Sequence, residues 1–145
     1  MKTTTHLHLS LLLAAMLSLA DFGGCCAIRT PQSGLQGTWA LVPANPLPFL
    51  SKSEITFDCR GTMTLVMFTF SDGNTLTWHS PSNETTVDGD QVHISVTQDA
   101  MGFNFDGTLD STSTPSQATG KLDLNLNFGN VTLSLQQGNA TLVKQ

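Results

Sequence analysis

The sequence predicts an all-β protein: a single antiparallel up-and-down β-barrel of about eight to ten short strands, or a β-sandwich built from the same strands. Three observations predict it. Apolar and polar residues alternate in one run after another. Glycine-centred turn signals separate the runs. Beyond the N-terminal region no segment repeats its apolar residues at the 3.6-residue spacing of a helix.

The alternation is plainest late in the chain. Val92, Ile94 and Val96 alternate with His93, Ser95 and Thr97, and Leu122, Leu124, Leu126 and Phe128 with Asp123, Asn125 and Asn127. Val131, Leu133 and Leu135 alternate with Thr132, Ser134 and Gln136. Such runs bury one face and wet the other. Arg60-Gly61, Asp72-Gly73, Asp88-Gly89, Asp106-Gly107, Gly129-Asn130 and Gly138-Asn139 read as turns. Strands are therefore expected at Gly37–Val42, Ser53–Cys59, Thr62–Phe70, Thr75–His79, Glu84–Val87, Gln91–Gln98, Met101–Leu109, Gly120–Asn127, Asn130–Gln137 and Ala140–Lys144. Pro43, Pro46 and Pro48 forbid a regular strand from Val42 to Ser53. Asp110–Thr119 reads as a polar, mobile loop.

Met63–Phe70 is apolar on both faces. It is either a central strand or one whose face lines a cavity. The candidate cavity residues are Met63, Leu65, Met67, Phe68, Phe70 and Trp78, although Trp78 also reads simply as core.

The N-terminal region differs. Lys2, His6 and His8 precede the apolar run Leu9–Ala20, the length of a signal h-region and short of the ~20 residues that span a bilayer. A buried helix is the alternative. Ser18 and Ala20 permit cleavage before Asp21, and Phe22-Gly23-Gly24-Cys25 resembles a bacterial lipobox, in which Cys25 would be diacylated. The resulting division is residues 1–24 as signal peptide, 25–35 as tether and 36–145 as the barrel domain.

Of 145 residues only six are Lys or Arg, and the net charge is −5. Phosphate neutralisation needs a basic stripe, so nucleic acid is excluded as a partner. A polybasic membrane patch is excluded for the same reason, leaving a lipid anchor as the membrane link. The three cysteines, Cys25, Cys26 and Cys59, are an odd count for an exported chain. With Cys25 lipidated, Cys26 and Cys59 can form a disulfide worth about 3–4 kcal/mol. A buried thiol at Cys59, continuing the apolar face of Ile55 and Phe57, is the other reading.

No catalytic set can be named, and no enzyme is expected. His79 and His93 fall on wet positions and lack metal-ligand spacing. Asp88 and Asp90 bracket a turn glycine, and Asp99 and Asp106 are read alike. No GxSxG elbow or phosphate loop occurs, so neither cofactor nor metal is expected. Tyr is absent and Trp39 and Trp78 are the only Trp, which disfavours an aromatic carbohydrate platform. The sequons at Asn83, Asn130 and Asn139 matter only in a eukaryotic secretory route.

Leu35-Gln36-Gly37-Thr38-Trp39 resembles the first strand of calycin-type barrels, the lipocalins and intracellular fatty-acid-binding proteins. The matching positions are Gly37 and Trp39. The resemblance implies that Trp39 packs across a closed barrel end and that the interior holds a small apolar ligand. In that family a basic residue from a late strand often covers the Trp, and only Lys144 is available here. The helical lid of the intracellular members is missing, with the Pro-rich stretch in its place. Bacterial periplasmic protease inhibitors are similar in having a Gly-x-Trp start, one disulfide and a small barrel, as are META-type domains, whose Gly-Cys-Asn signature is absent here.

The first functional expectation is an exported, lipid-anchored envelope protein, in the outer membrane or periplasm, whose barrel binds a small hydrophobic molecule. It requires a cavity of about 300–1,000 Å³. The alternative is a secreted or anchored interaction protein, inhibitor-type or structural, with a solid barrel. Its contacts would come from Pro43–Phe49 or Asp110–Thr119, with Phe49 and Leu50 as exposed apolar candidates.

Overall fold

A computed structural model describes residues 34–128 and 130–145. The signal segment, Cys25 and Cys26 lie outside the described residues. The described chain forms nine strands and no helix: β1 (Gly37–Pro43), β2 (Leu50–Phe57), β3 (Met63–Phe70), β4 (Thr75–His79), β5 (Ser82–Asp88), β6 (Gln91–Gln98), β7 (Met101–Leu109), β8 (Gln117–Phe128) and β9 (Val131–Lys144).

All pairings are antiparallel, and the strands form one sheet in the order β4-β3-β2-β1-β9-β8-β7-β6-β5. Every neighbour is a hairpin partner except β1 and β9, which bring the two halves together at Trp39↔Lys144 through Pro43↔Ala140. The sheet curls on itself. The rings of Phe68 on β3 and Phe103 on β7 meet edge-on at 6.4 Å, yet those strands lie five steps apart in the sheet. Flat strands would separate them by about 24 Å.

Strict alternation gives the first and ninth strands of the order, β4 and β5, the same direction. Only Ser80 and Pro81 join them. Parallel neighbours side by side need a crossover of about a dozen residues or more. The two therefore run end to end as one bent strand, its first half paired with β3 and its second with β6. Ser80, with φ 46, and Pro81, which has no N–H to donate, make the corner. This is an up-and-down barrel with a bent strand at its seam.

The alternation places one apolar residue in two inside. Trp39, Leu41, Ile55, Phe57, Val66, Phe68, Trp78, Ile94, Val96, Phe103, Phe105, Leu122, Leu124 and Leu142 form a continuous buried core. Each such side chain contributes about 1.5–3 kcal/mol on leaving water.

Three expectations need correction. Gly138-Asn139 is not a turn: β9 runs through it as one strand. A bulge takes up the extra residue, because the Asp123 carboxylate accepts the Gln137 backbone N–H at 2.6 Å and its side-chain Nε2–H at 3.0 Å, holding Gln137 at φ 50. Asp106-Gly107 lies mid-strand in β7, where an ordinary β-carbon at Gly107 would come within 2.5 Å of the Phe105 ring. The polar stretch after Leu109 is shorter than expected, since β8 begins at Gln117. It is also ordered: the Asp110 carboxylate accepts the backbone N–H groups of Ser116 and Gln117 and the Ser116 hydroxyl.

Candidate functional site

Gly37 places the chain at φ 111 and opens β1, so that Trp39 enters the core fully buried. Its indole Nε1–H donates to the Leu35 carbonyl at 2.6 Å. Lys144, its cross-strand partner, sets Nζ 5.5 Å from the ring centroid.

The candidate ligand-lining residues do not share one face. Met63, Phe68, Phe70 and Trp78 point inward and are buried, together with Val66, which sequence reasoning passed over. Leu65 and Met67 lie on the face of β3 opposite Phe68 and Phe70, half-buried, because strand side chains alternate, and the register shift at the start of β3 takes the buried Met63 out of that alternation. Inside, Phe68 meets Trp78 edge-on at 5.3 Å and Phe103 at 6.4 Å. Among the described residues two buried polar atoms make no hydrogen bond, Trp78 Nε1 on β4 and Thr85 Oγ1 on β5, the two strands of the seam.

The β1–β2 connection has a different character. Pro43, Pro46 and Pro48 offer it no N–H donors, and at its near end Ala44 N–H donates to the Asn139 C=O of β9 at 2.8 Å. It is tied at its far end: Leu50 N–H donates to Leu47 C=O at 3.3 Å and Ser71 N–H to Phe49 C=O at 2.8 Å. Between these ties Phe49 sits at φ 66, in the left-handed region that costs a non-glycine residue about 1–2 kcal/mol. Its side chain is 61% exposed. Leu50, the other candidate, instead turns half-buried against the core. Beside Phe49, a cleft of about 240 Å³ runs between Val42, Pro43, Pro46, Leu47 and Leu50, and Val42 is itself 49% exposed.

This loop lies at the far end of β1 from Gly37. The β2–β3 turn lies at the Gly37 end, since Phe57 pairs with Gly37. There the Asp58 carboxylate accepts the N–H groups of Arg60 and Thr62. Cys59, half-buried in that turn, is disulfide-bonded.

The ionisable groups lie outside the core. His79 is exposed. His93 Nδ1 lies 2.5 Å from Asp106 Oδ1 across β6 and β7, both side chains in solvent. The Asn74 backbone N–H and side-chain amide hold the Asp72 carboxyl below its ordinary pKa, and the Ser116 hydroxyl and amide do the same at Asp110. Asp88 and Asp90 flank the Gly89 turn, at φ 61. No group of three metal-ligating side chains occurs among the described residues. Nor is any helix there long and apolar enough to cross a membrane.

Against this geometry, no protein-family model, curated protein or solved structure matches the chain.

Proposed function

We propose that this is an exported, lipid-anchored envelope protein that works by protein contact: a solid barrel presenting the Pro43–Phe49 loop to an extracytoplasmic partner, as an inhibitor-type module does. The observation that carries this reading is Phe49. A large aromatic is held out in solvent on a left-handed backbone, on a barrel whose buried apolar side chains form one continuous cluster. Strain of that kind persists where surrounding structure enforces it, often at binding sites. A rigid exposed aromatic beside an apolar cleft is the usual anchor of a protein interface.

One observation favours the lipocalin-like reading, in which the barrel carries a small apolar molecule. The Trp78 indole N–H and the Thr85 hydroxyl would give such a molecule polar handles in an otherwise apolar interior.

One experiment separates the two. The signal-free domain is produced in its own host with a photo-crosslinking phenylalanine analogue at position 49, and with the same analogue at Thr77 as control. Native mass spectrometry is run before and after unfolding. The contact reading expects one discrete adduct at position 49, none at Thr77, loss of the adduct when unlabelled domain competes, and a bare apoprotein mass. A stoichiometric apolar molecule released on unfolding, without an adduct, overturns it in favour of the ligand carrier.

A further inference from the structure

The outer face of β6–β9 carries a trough of about 740 Å³ that the Pro43–Phe49 loop does not touch. Two rows of residues cross it. One runs Ser95–Asn104–Asp123, and the other Thr97–Gly102–Asn125–Ser134. Neighbouring strands stand about 4.8 Å apart, so the first row sets a hydroxyl, an amide and a carboxylate at that spacing, and the second holds two hydroxyls and an amide. Gln136 extends the polar lining on β9.

The second row has a gap. A β-carbon at Gly102 would lie 2.2 Å from the Val96 carbonyl oxygen, so this position holds no side chain and bare backbone forms the step between Thr97 and Asn125. Some of the lining is already positioned from within. Ser95 Oγ donates to Asn104 Oδ1 at 2.7 Å, and Asp123 is engaged by Gln137. The side chains of Asn125, Ser134 and Gln136 make no hydrogen bond among the described residues. Ala100 and Gln137, both non-glycine residues at positive φ, border the trough.

The chemistry of this lining selects a ligand class. Asp123 is its only ionisable group, and no Lys, Arg or His lines it, so phosphorylated and carboxylated ligands find no counter-charge. The sheet's backbone N–H and C=O groups are spent in the β6–β9 ladders, so an extended peptide cannot add as a strand here. What remains is an array of side-chain donors and acceptors, which suits a ligand that offers both at every position. We propose that the trough binds a neutral saccharide. Hydrogen bonding does the work that stacking does on aromatic platforms, so affinity is modest.

The test uses the signal-free domain, a panel of neutral oligosaccharides of glucose, mannose, galactose and N-acetylglucosamine, and insoluble neutral polysaccharide. NMR reads the side-chain amide signals of Asn104, Asn125 and Gln136. The expected result is saturable perturbation of these three by at least one sugar, with Kd of about 1 mM or tighter. The double variant Asn125→Ala/Ser134→Ala should weaken binding roughly tenfold, as two lost hydrogen-bonding groups imply. Both residues are exposed, and an unchanged thermal midpoint shows that the variant is folded. Retention on the polymer without binding of free oligomers assigns the site to a polysaccharide, and the converse to a free sugar. No perturbation by any sugar at about ten times that concentration, with no polymer retention that Asn125→Ala/Ser134→Ala reduces, overturns the proposal. So does perturbation spread away from the trough, or a neutral polar peptide binding there where every sugar fails.

Discussion

Trp39 draws on three kinds of interaction at once: burial of its rings, a 2.6 Å hydrogen bond from its indole to Leu35, and Lys144 above its face. Gly37 and Trp39 were singled out in the sequence by the calycin resemblance, which also implied Lys144 as the basic residue against the Trp. The Lys144→Met variant keeps the alkyl packing and removes the cation, so it should lose about 0.5–1 kcal/mol of stability in urea unfolding. No loss would mean that the ammonium interacts with water and not with the ring. Phe49 was legible as exposed, because prolines surround it. Its positive φ was not, since that conformation depends on the bond from Ser71, 22 positions further along.

At the scale of elements, period-two patterning located every strand, while turn chemistry placed some boundaries wrongly. Gly138-Asn139 has the composition of a hairpin turn, yet it continues β9, because the bulge is pinned by Asp123 from the neighbouring strand. No local signal announces a partner 14 positions away. The stretch after Leu109 shows the same limit, since a carboxylate at its start orders a segment that reads as mobile. The pH consequence follows from the lowered pKa of Asp110. Its ionised form is the one the folded segment binds. The contribution is present above the unfolded carboxylate pKa of about 3.9 and is lost as pH falls through the lower folded value. Amide exchange at Ser116 and Gln117 should therefore stay slow at neutral pH and, after allowance for intrinsic rates, lose protection below about pH 4. In Asp110→Asn that protection should be weakened at every pH. Equal protection in the variant would show that the carboxylate does not order the segment.

For the molecule as a whole, the barrel was legible as all-β and antiparallel because nearly every strand shows one apolar face. Whether it is hollow was not legible. Met63–Phe70 looks alike as a cavity wall and as a central strand, and nothing local to it announces that Phe68 meets Phe103 from five strands away. Nor was the seam legible. Thr75–His79 and Glu84–Val87 read as two hairpin strands, and the clue that β4 and β5 run on as one is their shared direction with only Ser80 and Pro81 between them.

That seam has a topological consequence. A sheet whose first and last members are two halves of one bent strand has no intrinsic beginning. The β1–β9 pairing, where Gln145 N–H donates to Thr38 C=O at 2.9 Å, is a junction of the same kind as any hairpin in the barrel. The chain order is then one of several that describe the same closed cycle. A circular permutant that opens at Ser80–Pro81 and joins Gln145 directly to Cys26, so that residues 26–35 become the linker, should fold to the same barrel and melt in a single transition. Two transitions, or none, would show that the corner is a fold-defining constraint, and that the cycle depends on the very bond that was cut.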